Sequence, residues 1–215
     1  GPNRMFASSN VVEMFPTYVW VHDLKEGHAK KICDQIFKSL KPKIPNKEQL
    51  KGGHSLQSET ELHKKPVFKD LMAHVDVAAK NILHFLGKNQ SALVVTGCWA
   101  NVSVPSAYHK EHSHPNNFLS GVFYVKTPKG GDTINFHDPR PEAHVIAPSF
   151  EEPLSRNYST MFVEAKPGRM MIFPSWLRHS VDPNASDELR ISVSFNMMFE
   201  RYAETQSRPR FAATL

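Results

Sequence analysis

The chain reads as mainly β with flanking α, a barrel or jelly roll carrying N-terminal helices packed on one sheet. Three observations predict this. From Ala92 to Phe199 the sequence divides into short β-type runs (ALVVTGCWANVSV, NFLSGVFYV, DTINF, STMFVEA, RMMIF and RISVSFNMMF), punctuated by Pro-Lys-Gly-Gly, Lys-Pro-Gly and Asp-Pro-Asn turns. Upstream of Ala92, apolar residues instead recur at helical spacing. A length of 215 residues with 40% hydrophobic content builds one sizeable core and falls short of two independent domains. The reading is therefore a single domain over residues 5–215 with its β core at about 92–199.

Taken in order, Val11 to Val21 (VVEMFPTYVWV) is β-branched and aromatic and reads as an edge strand interrupted by Pro16. A helix is expected from Asp23, with Ile32, Ile36 and Leu40 at four-residue spacing and Pro42 stopping it. The polar, glycine-containing stretch Lys47 to Glu61 reads as a lid or a loop. A second helix is expected over Val67 to Leu86, with Leu71, Val75, Ala78, Ile82 and Phe85 on the buried stripe and Gly87 as its stop. Gly1 to Arg4 resemble a cleavage scar, which would make Met5 the native start.

Composition narrows the function classes. The net charge of +5 is spread along the chain, favouring acidic small molecules over nucleic acid. The basic stretches 63–70 and 201–210 lack interleaved aromatics, so no nucleic-acid partner is expected. Cys33 and Cys98 are far apart with no CxxC partner, which fits a reducing, cytoplasmic setting. No apolar run approaches the roughly 20 residues of a membrane helix, and no membrane association is expected.

The chemistry centres on His112 and His114. Side chains alternate along a strand, so two histidines one residue apart project to the same face and can address one ion. His179, from a distant strand, would complete a facial triangle, and imidazole suits iron, zinc, copper and nickel alike. Arg190, eleven positions further on, is placed to grip a dicarboxylate. Read individually, His109, His137 and His144 are surface or satisfied core residues, and Phe173 and Trp176 are core packing.

Several motifs in sequence carry a family resemblance: His112-Ser-His114-Pro115, Ser120-Gly-Val-Phe-Tyr-Val125, Phe136-His-Asp-Pro-Arg140, the run Gly168 to Val181, and Arg190-Ile-Ser192. Over roughly Gly97 to Phe199 the chain resembles the iron(II)- and 2-oxoglutarate-dependent dioxygenases, closest to a small, mostly uncharacterised bacterial and phage group with an HxH motif. Tyr108, Tyr124 and Gly130-Gly-Asp-Thr133 add a likeness to prolyl-hydroxylase-like members.

The resemblance implies a double-stranded β-helix, cupin-like in form. It also implies Fe(II) with 2-oxoglutarate and O2 as cosubstrates, and hydroxylation of an unactivated C–H with release of succinate and CO2. His112, His114 and His179 would hold the metal, while Arg190, Ser192, Tyr124 and Asn101 would line the 2-oxoglutarate site. The departure is His114, which stands where the family has a carboxylate. Because an imidazole fills that position, halogenation is not expected. Asp138 or Glu111 are the alternative sources of a carboxylate, and Glu111 is disfavoured by facing the opposite side of an ideal strand. Asp138 with Arg140 is read either as a substrate contact at the barrel mouth or as a structural pair. A small-molecule or peptidyl substrate is implied, and exposed sheet edges suggest a homodimer. Two other readings are a cupin-like binding module without turnover and a three-histidine dioxygenase that needs no 2-oxoglutarate. Arg190 argues against both, since neither needs a cation there.

Overall fold

The computed structural model describes residues 5–46, 55–88 and 92–202. Among these residues, ten strands form two antiparallel sheets. They are β1 (Trp20–Asp23), β2 (Ser55–Gln57), β3 (Leu93–Ser103), β4 (His109–His112), β5 (Leu119–Lys126), β6 (Thr133–His137), β7 (Thr160–Glu164), β8 (Arg169–Pro174), β9 (His179–Val181) and β10 (Arg190–Phe199). The large sheet runs in the order β1-β8-β5-β10-β3-β2, and the small sheet runs β4-β9-β6-β7. Together they make the double-stranded β-helix. Each of the six β-type runs of the sequence appears as a strand.

Two helices, α1 (Glu26–Leu40) and α2 (Lys69–Phe85), cover the outer face of the large sheet. The period of two along each strand divides the protein into two cores. Ala100 and Val102 of β3, Phe123 and Val125 of β5, Met170 and Ile172 of β8, and Ile191, Val193 and Phe195 of β10 meet Ile32, Ile36, Leu71, Val75 and Ile82 of the helices. The alternate residues Val122, Tyr124, Met171 and Phe173 face the small sheet and pack with Ile134, Phe136 and Val181.

Three expectations are corrected. Residues 11–19 form no strand, and β1 begins only at Trp20. Phe15 takes a left-handed φ of 56° immediately before Pro16, which breaks the extended path, and Val11, Val12, Met14 and Phe15 are exposed. The first helix starts at Glu26 rather than Asp23, because Asp23 still belongs to β1, registered against Arg169. Phe85 is 58% exposed, edge-on to Tyr18 and Trp20. The stripe continues from Ile82 to Leu86, one helical turn, and so passes Phe85 by.

Gly87 does end α2 in the left-handed region, at φ 61°, with Lys88 N–H bonding back to Leu83. The scar at residues 1–4, residues 47–54 of the expected lid and most of the basic stretch 201–210 lie outside the described residues. Among the described residues, no helix is long and apolar enough to cross a membrane.

Asp23 fastens β1 to the sheet. Arg169 donates to both of its oxygens, at 2.8 and 3.0 Å, and Lys166 pairs with it at 3.1 Å. The hydrogen bonds from Arg169 outweigh partial burial and, with Lys166, hold the Asp23 carboxyl down at about 2. A depressed carboxylate stabilises the fold above its unfolded pKa and loses that contribution as pH falls through its folded one. Asp23→Asn is therefore expected to cost under about 1 kcal/mol near pH 7, since the pair is substantially solvated. In urea unfolding the gap from the parent should narrow as pH drops from 5 toward 2.

Candidate metal centre and adjoining chamber

β4 and β9 pair so that His112 lies opposite His179. β4 ends at His112, so His114 is not a strand residue as the alternation argument assumed. His114 is fixed instead by its N–H, which bonds to the Ser175 carbonyl at 2.9 Å. All three imidazoles nevertheless converge, with one nitrogen of each lying within 4.8 Å of the others. His114 Nε2 and His179 Nε2 are 3.3 Å apart. At metal–nitrogen bonds of roughly 2.0–2.1 Å, two ligands at right angles stand about 3 Å apart, so this spacing suits neighbouring corners of one coordination sphere.

Local hydrogen bonds prepare two of the rings. His112 Nδ1–H donates to the Lys110 carbonyl at 2.7 Å, and His179 Nδ1–H donates to the Leu177 carbonyl at 3.0 Å. Each bond fixes the tautomer that leaves Nε2 with a free lone pair. Burial pushes His179 down to about 3 against the opposing pull of the Leu177 carbonyl, and the neighbouring imidazoles push the same way. Burial, and then His112, brings His114 to about 4. Both rings are neutral near pH 7, the state a metal requires.

Neither acidic alternative joins this group. Asp138 accepts hydrogen bonds from the backbone and guanidinium of Arg140 and bonds His144 at 2.8 Å. Burial alone would raise its carboxyl, but these partners outweigh it and hold it at about 2. Asp138 and Arg140 thus form a local pair. Glu111 turns away to Arg178, at 3.2 Å, and toward His137.

A chamber runs from the three histidines between the sheets. On β10 the residues alternate with those of the helix-side core, so Arg190, Ser192, Ser194 and Asn196 line this chamber together with Asn101, Ser103 and Tyr124. Register places Ser192 between Asn101 of β3 and Tyr124 of β5. Arg190 is almost fully buried and has no ion-pair partner among the described residues. Its Nε and the Tyr124 hydroxyl are buried without a hydrogen-bond partner, and the guanidinium carbon lies 5.7 Å from the centre of the tyrosine ring. Burial raises the Tyr124 pKa, opposed by the nearby Arg190. A buried guanidinium Nε and a buried phenol left unsatisfied among the described residues are costly unless an acceptor meets them. Asn101 is less free, since it accepts from Gln57 at 3.0 Å and donates to Ser194 at 2.9 Å.

Some chamber residues escaped the sequence reading. His109 lines the chamber with Gln57 and Trp99. On an ideal strand it would face away from His112, three residues on, and the irregularity of β4 between the two brings both to the chamber. Phe173 is core, as expected, but Trp176 is 56% exposed. It follows Ser175 on the turn between β8 and β9, where the chain leaves the sheet.

Residues 97–196 match the family described as "Putative 2OG-Fe(II) oxygenase". No curated protein matches the chain significantly. Among solved structures, the chain is similar to the non-haem α-ketoglutarate-dependent epimerase SnoN from nogalamycin biosynthesis, at TM-score 0.61 and 15% identity over 85% of this chain and 78% of that one. It is similar to a prolyl hydroxylase from Trichoplax adhaerens, in complex with a hypoxia inducible factor peptide fragment, at TM-score 0.59 and 12% identity over 88% and 87%. It is also similar to HygX from Streptomyces hygroscopicus with nickel and 2-oxoglutarate bound, at TM-score 0.57 and 9% identity over 86% and 83%. At these identities the structural likeness establishes the fold.

His112→Ala and His179→Ala are each expected to abolish stoichiometric retention of Mn(II) or Fe(II) after dialysis, measured by elemental analysis. Asp138→Ala should retain the metal, and its loss there would place a carboxylate in the site.

Proposed function

We propose, from the match of residues 97–196 to the 2OG-Fe(II) oxygenase family, that this chain hydroxylates an unactivated C–H bond, with His112, His114 and His179 holding iron(II). Arg190, Tyr124 and Ser192 form the 2-oxoglutarate site on this reading, with Asn101 at its edge. The observation that carries it is the pairing, in one chamber, of a three-imidazole group with a buried arginine that has no acidic partner among the described residues.

The residues suit both groups. Two of the three imidazoles have their Nε2 freed by a carbonyl at Nδ1, and the orphaned Arg190 Nε and Tyr124 hydroxyl are donors that a distal carboxylate would satisfy. Guanidinium offers a planar, paired geometry for a carboxylate that lysine lacks. Iron(II) with 2-oxoglutarate and O2 supplies the oxidising power, releasing succinate and CO2. The chain's part is positional. The carbonyls of Lys110 and Leu177 orient His112 and His179. The Tyr124, Phe173 and Val181 side of the chamber is apolar and keeps water from the cosubstrate. Trp99, its ring 6.2 Å from that of His114, borders the histidine end, where a substrate would approach.

Similar folds act on both small molecules and peptides, and the substrate here belongs to one of these classes. We read residues 5–215 as one domain. Two free, buried cysteines, Cys33 and Cys98, support a reducing, cytoplasmic location. The open edge of β7 supports a homodimer.

Three neutral imidazoles leave ferrous iron at +2, which the 2-oxoglutarate dianion cancels, whereas a carboxylate ligand would leave the site one unit more negative. His114→Asp is therefore expected to lower the Fe(III)/Fe(II) potential in an anaerobic redox titration. An unchanged potential would remove His114 from the ligand set.

Succinate should form from 2-oxoglutarate with ferrous iron and O2. Arg190→Ala should weaken 2-oxoglutarate by about 10- to 100-fold, the loss of charge-assisted hydrogen bonds worth roughly 1.5–3 kcal/mol. Iron-replete protein that neither binds nor consumes 2-oxoglutarate would leave a metal-binding module instead.

A further inference from the structure

β2 precedes the residues that match the family, yet it forms part of the chamber wall. It is three residues long, and Leu56 and Gln57 are exposed, so little apolar burial holds it. Beyond its backbone pairing with β3, its attachments are polar. Gln57 Nε2 donates to Asn101 Oδ1 at 3.0 Å, and Ser55 Oγ lies 3.2 Å from Ser103 Oγ.

The third attachment crosses between sheets. His109 belongs to β4 of the small sheet, but its Nε2 is hydrogen-bonded to Ser55 Oγ of the large sheet at 3.1 Å. Ser103, next along this chain of hydroxyls, is registered against Arg190. The His109 ring centre is 6.5 Å from that of His112. Arg190 is near enough that, after burial, it contributes most to holding the His109 pKa below its ordinary value. One imidazole thus borders the span between the metal-capable histidines and the buried guanidinium.

We propose that His109 is a cosubstrate-positioning residue that, through Ser55, makes β2 the closing wall of the 2-oxoglutarate chamber. The inference rests on the reading of that chamber as the 2-oxoglutarate site. With Nε2 held by Ser55, the ring is fixed in the wall. There it excludes water from the flank of the dicarboxylate and restricts the conformations left to its chain. β2, outside the matched region, thereby becomes part of the cosubstrate site.

The test uses full-length Mn(II)-loaded protein under anaerobic conditions, read by calorimetric titration with 2-oxoglutarate and by amide exchange at Ser55–Gln57. His109→Ala should weaken 2-oxoglutarate about 3- to 10-fold, the worth of a hydrogen-bonded contact, with Mn(II) affinity unchanged. Ser55→Ala, on the exposed strand, should reproduce the loss and tests the link independently of how well His109→Ala folds. The double variant should be no weaker than the poorer single one, and His109→Gln should recover part of the affinity. 2-Oxoglutarate should slow exchange at Ser55–Gln57 in the parent and leave it unaltered in His109→Ala.

Parent-like 2-oxoglutarate affinity in both single variants would overturn the proposal, as would equal loss of Mn(II) or a cosubstrate without effect on exchange at β2. Parent protein that holds Mn(II) but binds no 2-oxoglutarate would overturn the reading of the chamber itself, and this inference with it.

Discussion

The two-residue period of β10 sends Ile191, Val193, Phe195 and Met197 into the helix-side core and Arg190, Ser192, Ser194 and Asn196 into the chamber between the sheets. β10 lies at the centre of the large sheet, paired on both sides by β3 and β5. Its register is fixed because a slip of one residue would drive an arginine and three other polar residues into the helix-side core. The same constraint carries over to its neighbours, so Asn101 and Tyr124 are brought to the chamber on either side of Ser192. Burial of one face thus determines the chemistry of the other.

That chamber joins two features that are individually expensive. Arg190 is buried without an acidic partner among the described residues, and desolvating an unpaired cation costs several kcal/mol in order-of-magnitude terms. The histidine group likewise keeps His114 and His179 neutral by burial at one end of the same space. Natural folds retain such costs where a ligand relieves them. A dicarboxylate spanning from a metal to the guanidinium would relieve both, and on the proposed reading the two features belong to one site. The two candidate carboxylates are already committed, Asp138 to Arg140 and His144 and Glu111 to Arg178.

The β core was legible because its signals are local. Turn residues bounded each apolar run, and alternation within the runs separated the two faces. The convergence of His112 with His179 followed from pattern and family likeness, but the means by which His114 joins them did not. β4 stops at His112, and His114 is placed by a long-range bond to Ser175 rather than by strand alternation. His109 was missed for a similar reason. Its ring is placed by a hydrogen bond with Ser55, a residue 54 positions away and on the other sheet, and no period records such a contact. At the N-terminus, β-rich composition misled because strand formation needs a partner edge, and Phe15-Pro16 breaks the path before one is reached.

A crystal structure of the Mn(II) protein with a 2-oxoglutarate analogue tests the central claim most directly. Nε2 of His112, His114 and His179 should lie on the metal at roughly 2.0–2.2 Å, imidazole distances being similar across such ions. The analogue's distal carboxylate should meet Arg190 and Tyr124. A metal ligated by Asp138 or Glu111 in place of His114, or an analogue that leaves Arg190 unpaired, would contradict it.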